Sequence, residues 1–209
     1  MLSNLKNVFD LCRTHNLKLH PEKCSFFMHE VTYFGHKWTN KGILPDDNKY
    51  SVIKNYPTPT DGDSAKRFVA FCNYYRRFIK NFAEYSRHLT RLSKKGVAFE
   101  WTKECNDAFV YLKRALMSPT LLQYPDFKKP FCLTTDASKY ACGAVLTQEY
   151  EGKHLPVAYA SKSFTKGESN KSTIEQELAA IHWAITHFRP YVYGTKFLVR
   201  TDHRPLSYL

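Results

Sequence analysis

The stretch FCLTTDASKYACGAVLTQ, residues 131–148, indicates the fold because it reads as two strands joined by a short turn. Phe131, Leu133 and Thr135 alternate with the residues between them, which is the period-2 pattern of a β-strand. Asp136 follows directly, and a second apolar run begins a few residues later. An aspartate at the end of a strand is either an ordinary turn residue or a carboxylate placed for chemistry. The rest of the chain has to decide between these two interpretations.

The segment around this stretch predicts a mixed pattern of strands and one long helix. Its expected elements are strands at 131–136, 142–149 and 156–163, a helix at 173–188 and a strand at 196–201. Ser172 and Glu175 form a capping box that opens the helix. An apolar stripe at helical spacing is expected to face the core, and its members are Ile174, Leu178, Ile181, Ile185 and Phe188.

The first part of the chain predicts a hairpin followed by helices. Short aromatic and β-branched runs between 24 and 44 indicate a β-hairpin region with its turn at residues 40–42. Pro57 and Pro59 break the chain, and Thr102 is expected to cap a later helix with a buried stripe from Cys105 to Leu116.

Between these points, apolar residues from Phe68 to Phe82 recur at helical spacing and predict one helix from Lys66 to Lys80. On an ideal helix a different face would carry Lys66, Asn73, Arg77 and Lys80. Such a basic strip either follows the phosphates of a nucleic acid or is solvated surface.

Composition narrows the class of protein and its partners. The chain has 209 residues and a formal net charge of +12, with the basic excess densest in the middle of the sequence. A basic surface of this kind attracts polyanions, above all nucleic acid. The six cysteines lack metal-ligand spacing, which favours free thiols and an intracellular location, cytoplasmic or nuclear. We expect no membrane partner, because no apolar run reaches membrane-spanning length.

Three acids stand where a metal site could form. Asp136 and Asp202 end the first and last predicted strands, and Glu177 lies at the boundary of the helix's apolar stripe. Carboxylates can share a small volume when divalent cations offset their repulsion, and carboxylate oxygens suit Mg²⁺. The alternative places both aspartates in turns and Glu177 in solvent.

An ordered set of motifs resembles the RNase H domain of gypsy-class LTR retrotransposons. The motifs are TDAS (135–138), GAVL.Q (143–148), PVAYASKS (156–163), E.EL (175–178), FR.Y..G (188–194) and TDH.PL (201–206). Upstream, KCSFF (23–27), YFGH (33–36), KRFVAFCNYYRRFI (66–79) and W.KEC..AF..LK..L (101–116) resemble the reverse transcriptase of the same Pol polyproteins.

The resemblance implies an α+β chain in which a helical, thumb-like segment precedes an incomplete RNase H-like mixed β-sheet with a packed helix. Residues 1–56 would be the end of the palm with a primer-grip-like hairpin, 57–127 the thumb and linker helices, and 128–209 the RNase H-like domain. The polymerase motif, an aromatic-x-Asp-Asp hairpin, is expected upstream of this chain, since Asp46-Asp47 follows Pro45 and does not match it. The elements that complete the RNase H fold are expected after Leu209.

Carried over by position, the family's catalytic and metal-binding carboxylates are Asp136, Glu177 and Asp202. The implied cofactor is a two-ion Mg²⁺ site that Mn²⁺ could also fill. The implied partner is an RNA–DNA hybrid, with the rest of the Pol polyprotein as a further partner. The thumb strip (Lys66, Asn73, Arg77 and Lys80) would contact nucleic acid, and so would the hairpin residues Tyr33, Phe34, Gly35 and His36.

The implied function is metal-dependent hydrolysis of the RNA strand of RNA–DNA hybrids by a fragment of a reverse transcriptase/ribonuclease H. Two alternatives stay open at this point. A non-catalytic nucleic-acid-binding remnant would bind hybrids without cleaving them, and a purely structural interaction fragment would do neither.

Overall fold

The structure is a computed structural model that describes residues 2–203. Its first part contains a three-stranded antiparallel sheet in the order β1-β2-β3, followed by helices. The elements are α1 (Leu2–Thr14), β1 (Glu30–Tyr33), β2 (His36–Thr39), β3 (Gly42–Pro45), α2 (Asn48–Lys54), α3 (Gly62–Tyr74), α4 (Phe82–Leu92) and α5 (Lys103–Met117). The predicted turn after residue 39 joins β2 to β3, whereas Phe26 and Phe27 lie outside any strand.

The predicted helix from Lys66 to Lys80 is wrong, because α3 ends at Tyr74. A short 3₁₀ helix (Arg76–Phe78) follows, and Asn81 adopts a left-handed conformation (φ 49°) before α4 begins. Asparagine tolerates this conformation better than most residues. Phe78 and Ile79, which come just before the left-handed Asn81, are buried in the core, so tertiary burial outweighs the local helical pattern.

Helix α5 forms as predicted. The Thr102 side chain accepts a hydrogen bond from the backbone N–H of Cys105 (3.4 Å) and caps the helix. The buried stripe is also as predicted: Cys105, Ala108, Phe109, Leu112 and Leu116. This stripe joins α3, α4, β3 and Leu122 in the first hydrophobic core, which extends along the chain from Ile43 to Leu122.

The second part of the chain is a mixed sheet with a helix packed on it, which confirms the predicted α+β class. Its elements are β4 (Phe131–Ala137), β5 (Ala141–Tyr150), β6 (Lys153–Ser163), α6 (Lys166–Ser169), α7 (Thr173–His187), α8 (Arg189–Val192) and β7 (Phe197–Arg200). The strand order is β6-β5-β4-β7, with β4 and β7 parallel and the other neighbours antiparallel.

Helix α7 packs on the sheet through a face that only partly matches the predicted stripe, because Phe188 is buried and Ile185 packs against the second core. Its buried residues are Gln176, Glu177, Ala180 and Ala184, whereas Ile174 and Leu178 are 47% and 49% exposed. Ala184 belongs to the second core together with Ala144, Ala158 and Ala160, and small residues let the helix lie close to the sheet. A hydrophobic stripe follows the largest apolar side chains, and it therefore missed a contact face made of alanines.

Helix α4 docks on the opposite side of the sheet from α7. The backbone N–H of Ala83 donates to Oγ of Ser161 on β6 (2.9 Å), and a Cβ built on Gly143 of β5 would meet Asn81. Tyr159 of β6 packs against the first core. The two parts of the chain are therefore joined at β5 and β6, next to the strand that carries Asp136.

Candidate metal centre

The two aspartates lie side by side because β4 and β7 are parallel and in register. Thr134 pairs with Arg200, so Asp136 and Asp202 each lie two residues beyond a paired position. Neighbouring strands are about 4.8 Å apart. Both side chains are exposed at the same edge of the sheet.

Glu177 reaches the aspartates from α7, five residues after the Ser172 cap. The capping box with Glu175 is present as predicted and fixes where the helix begins. Glu177 is only 4% exposed, and its Oε1 accepts a hydrogen bond from the backbone N–H of Ala137 (3.3 Å). One ligand oxygen from each of Asp136, Glu177 and Asp202 lies within 4.8 Å of the others. The structure thus brings together the three acids that the sequence singled out.

The cluster is electrostatically unfavourable without a counter-charge. Burial raises the pKa of Glu177, and the neighbouring Asp202 and Asp136 carboxylates raise it further, against the Ala137 N–H and His203, which lower it. Oε2 of Glu177 is buried and has no hydrogen-bond partner within residues 2–203. An unpartnered buried carboxylate oxygen costs free energy.

These residues fit a divalent cation. Three carboxylates are hard oxygen donors, the type that Mg²⁺ and Mn²⁺ prefer. A cation among them would give Oε2 of Glu177 its missing partner and offset the repulsion between the acids. The predicted alternative, in which Glu177 is solvated, is excluded by its burial.

Sequence reasoning missed a contact that α4 makes at this site. The hydroxyl of Ser138 donates to the Glu84 carboxylate, while the backbone N–H groups of Tyr140 and Ala141 donate to the same hydroxyl. Glu84 also shares a small pocket with Asp136. Ser138 therefore stabilises the turn after Asp136 and also ties that turn to the helical part of the chain. Ser138 and Glu84 are 54 positions apart in the sequence, so no local sequence pattern predicts this contact.

His203 also takes a turn position beside the acids. Its backbone N–H donates to Oγ1 of Thr201 (3.2 Å), and its Nδ1 is buried without a partner in the described part of the chain.

The predicted thumb strip does not form a single helical face. Lys66 and Asn73 lie on α3, Arg77 on the 3₁₀ helix, and Lys80 in the turn before α4. Lys66, Asn73 and Lys80 are exposed and Arg77 is half-buried. The geometric argument for a continuous strip is thus lost, although each side chain remains accessible.

The hairpin residues form an aromatic corner between β1–β2 and α3. Tyr33 and Phe34 are 62% and 71% exposed, and Phe34 and Gly35 have positive φ in the tight turn. Nδ1 of His36 donates to the Phe34 carbonyl (2.8 Å), and the Tyr74 hydroxyl donates to the same oxygen. The His36 ring packs between Tyr74, Tyr75 and Phe78. The structure therefore exposes Tyr33 and Phe34 and uses His36 as part of the support.

Comparison with known families explains this arrangement. Residues 101–199 match the family described as "RNase H-like domain found in reverse transcriptase". Over its whole length, the chain is 76% identical to the "Retrovirus-related Pol polyprotein from transposon 412" of Drosophila melanogaster. Over its whole length the chain is similar to part of the Pol polyproteins of retrotransposons. A gypsy Pol polyprotein from the same organism is 36% identical over 92% of the chain.

The similarity covers a limited part of each Pol polyprotein. The chain spans 17% of the transposon 412 protein and 16% of the "Transposon Tf2-3 polyprotein" of Schizosaccharomyces pombe, to which it is 32% identical over 98% of its length. The match thus lies within much longer proteins.

Solved structures show the same fold. The foamy viral protease-reverse transcriptase dRH in complex with double-stranded DNA matches all of this chain and 37% of its own, with a TM-score of 0.78 and 23% identity. The same viral protein in complex with an RNA/DNA hybrid matches 96% of this chain and 27% of its own, with a TM-score of 0.76 and 24% identity.

In residues 2–203, no helix combines the length and apolar character needed to span a bilayer.

Proposed function

We propose that this chain carries the ribonuclease H site of a retrotransposon Pol protein and hydrolyses the RNA strand of RNA–DNA hybrids. One observation carries the proposal. Three carboxylates from β4, α7 and the end of β7 converge within 4.8 Å on an RNase H-like sheet, and one buried oxygen among them lacks a partner in the described chain.

We propose Mg²⁺ as the physiological ion, in a two-ion site that Mn²⁺ can also fill. When bound, divalent ions polarise a phosphoryl oxygen, lower the pKa of water and stabilise the leaving oxygen. Asp136, Glu177 and Asp202 would hold them. The hydrogen bond from Ala137 N–H engages Oε1 of Glu177 and leaves the buried Oε2 without a partner in residues 2–203, while the exposed aspartates leave the site open to a substrate phosphate.

The division of the chain at residues 56 and 127 is part of the same proposal, with palm end, thumb with linker, and RNase H-like domain in that order. The two hydrophobic cores support the second boundary, because one lies between Ile43 and Leu122 and the other between Phe131 and Val192. The first core includes β3, so the palm end and the thumb pack as one unit here.

Nucleic acid is the proposed partner, together with the rest of the Pol polyprotein. The net charge of +12 and the exposed side chains of Lys66, Asn73, Lys80, Tyr33 and Phe34 support contact with a hybrid. The six free cysteines support the proposal of an intracellular location, cytoplasmic or nuclear.

The experiment that tests this function is cleavage of a hybrid with a labelled RNA strand in Mg²⁺ buffer. The wild-type chain is compared with Asp136→Asn, and single-stranded RNA serves as the substrate control. We expect hybrid-specific cleavage that falls at least 100-fold in the variant and stops when the metal is chelated. A folded wild-type chain that binds the hybrid without cutting it would instead establish a binding remnant, and one that does neither would leave a structural role.

A further inference from the structure

A cleft of about 450 Å³ runs along β6, which is one of the two edge strands of the described sheet. Its walls come from both parts of the chain: α3, α4 and the 3₁₀ helix on one side, β6 and the second half of α7 on the other. We call it the edge cleft and define it by Asn73, Arg76, Ser86, Lys162, Trp183 and His187. The carboxylate site uses none of these residues.

The charged groups that line the edge cleft are basic. Arg76 and Lys162 are the cations, and no acidic side chain from residues 2–203 lines it. The Arg76 guanidinium donates to the backbone carbonyl of Ser161 and makes no ion pair within the described chain. Lys162 pairs with Glu168 outside the cleft (2.7 Å). The cleft therefore holds an exposed cation, Arg76, without a carboxylate partner in residues 2–203, which favours an anionic ligand.

The remaining lining suits a nucleic acid strand better than a small anion. Asn73 and the hydroxyls of Ser86 and Ser163 can donate hydrogen bonds to phosphate or sugar oxygens. The rings of Trp183 and His187 stack on each other, with centroids 5.4 Å apart, and offer an aromatic surface for a base or sugar. His187 and Arg76 both line the cleft, and burial and the nearby Arg76 lower the pKa of His187.

The edge cleft lies at the same end of the sheet as the carboxylates. Asp136 pairs with Gly143, and Gly143 pairs with Ser161, so Ser161 is two strands away from the acid cluster. At about 4.8 Å per strand, this separation is about 10 Å. A nucleic acid with one phosphate at the carboxylates would extend over this distance with its next few nucleotides.

A second cleft of similar size has a different character. It measures about 480 Å³ and lies between α4 and the start of α5. Its lining mixes Arg87, Arg91 and Lys94 with Glu100 and Glu104, so its charges are largely balanced. Of these two clefts, the edge cleft is the one that combines unbalanced positive charge with a position beside the acid cluster.

We propose that the edge cleft binds the sugar–phosphate backbone of the RNA–DNA hybrid, through Arg76 and Lys162, next to the site of hydrolysis. This inference rests on the proposed function for the identity of the ligand. It adds a binding site at the junction of the helical part and the sheet, and it gives the Arg76 contact to β6 a second purpose besides packing.

Strand β6 offers a matched test, because Lys153 and Lys162 lie near its two ends, about 30 Å apart at 3.3 Å per residue. Binding of a fluorescently labelled hybrid is measured by anisotropy in EDTA, so that cleavage does not interfere. We expect Lys162→Gln and Arg76→Gln each to weaken binding about 3- to 10-fold and to lower the slope of log K against log salt by about one. Lys153→Gln should bind as the wild type does.

Glu168→Gln gives a result of opposite sign. Removing this carboxylate frees the Lys162 charge, and Gln can still accept the capping hydrogen bond of α6, so binding should tighten about 2- to 3-fold. The proposal is overturned if Lys162→Gln and Lys153→Gln have equal effects, or if the wild-type chain does not bind the hybrid. Thermal melts identify any variant that is unfolded, and the lysine pair carries the test if Arg76→Gln destabilises the chain.

Failure of the edge cleft and failure of the catalytic site give different patterns. If the wild type cleaves hybrids and Lys162→Gln binds them as tightly as the wild type does, the cleft proposal is wrong and the proposed function stands. If Lys162→Gln weakens binding and the wild type does not cleave, the cleft stands and the nuclease proposal falls.

Discussion

At the scale of single residues, Glu177 is a buried carboxylate that two neighbouring aspartates repel. It is the buried member of the acid cluster, and its Oε2 has no partner in the described chain. Its pKa is raised by burial and by the two aspartates, because both disfavour the ionised form of the carboxyl relative to an exposed glutamate. The position therefore serves metal binding at the expense of stability.

Replacing Glu177 with Gln should stabilise the metal-free protein at neutral pH by about 1 kcal/mol, because a buried charge near two carboxylates is removed. Because the pKa of Glu177 is higher in the folded state than in the unfolded state, the wild type loses stability as the pH rises from the unfolded-state pKa through the folded-state pKa. The advantage of the variant should thus appear across that interval and vanish in acid. Urea denaturation in EDTA at neutral and acidic pH measures this difference.

Glu175→Gln is the matched control on the same helix, since Glu175 is exposed and outside the cluster. It should not raise stability. A Glu177→Gln variant that is less stable than the wild type in EDTA at neutral pH would contradict the electrostatic account of the cluster.

Glu168 shows the opposite behaviour. Hydrogen bonds from Lys162 and from the Thr165 backbone lower its pKa to about 2 from an ordinary value of 4.5. A carboxylate with a lowered folded-state pKa adds stability above its unfolded pKa and loses it as pH falls toward the folded one. We expect Glu168→Gln to cost about 1 kcal/mol at pH 6 and the cost to shrink between pH 4.5 and 2. A cost that does not change with pH would contradict this expectation.

At the scale of elements, the docking of α4 on the sheet depends on the absence of a side chain at Gly143. A Cβ at this position would clash with Oδ1 of Asn81, the left-handed residue that precedes α4. Such a clash forces the Asn81 side chain, or the start of the helix with it, to move. The helix also carries Glu84, which anchors Ser138 in the turn after Asp136.

We expect Gly143→Ala to destabilise the protein by about 1–3 kcal/mol, measured by chemical denaturation. Adding Asn81→Gly should recover part of the loss, because glycine removes the obstructing side chain and accepts the positive φ. Gly167→Ala is the control, since a Cβ added there would have no atom of the described chain within 4 Å and the φ of Gly167 is not positive. Equal losses for Gly143→Ala and Gly167→Ala would show that α4 does not pack as described.

The elements also show what the sequence could predict. The strands of the second sheet, α5 and the Ser172 cap follow from signals within a few residues, and the structure has them within one to three residues of the expected bounds. Helix α4 was missed because the bend at Asn81 depends on burying Phe78 and Ile79 against distant parts of the chain. The inward face of α7 was only partly predicted, because the buried alanines contribute little to a hydrophobic stripe.

The sequence likewise predicts some features of the candidate site and not others. Each acid could be placed on its element from the sequence. Asp136 and Asp202 come at the ends of predicted strands, and Glu177 lies early in a helix with a recognisable cap. Their meeting within 4.8 Å requires the parallel register of β4 and β7, which no local pattern specifies. The sequence could not predict the contact of Glu84 or the edge cleft, because both form where the helical part of the chain meets the sheet.

At the scale of the whole molecule, two cores are joined at β5 and β6 close to the carboxylates. Tyr159, Ser161 and Gly143 all contact the helical part of the chain. The acid cluster, the turn held by Glu84 and the edge cleft lie at one end of the sheet. The chain thus places a negative metal site beside a basic cleft, an arrangement suited to a polyanion that must be held near divalent cations.

The central claim is that Asp136, Glu177 and Asp202 hold a divalent cation, and direct titration with Mn²⁺, followed by electron paramagnetic resonance of the free ion, tests it most directly. We expect the wild-type chain to bind Mn²⁺, Mg²⁺ to displace it, Glu177→Gln to bind at least tenfold more weakly, and Glu175→Gln to bind as the wild type does. A folded wild-type chain that binds no Mn²⁺, or a Glu177→Gln variant that binds it equally well, would contradict the account.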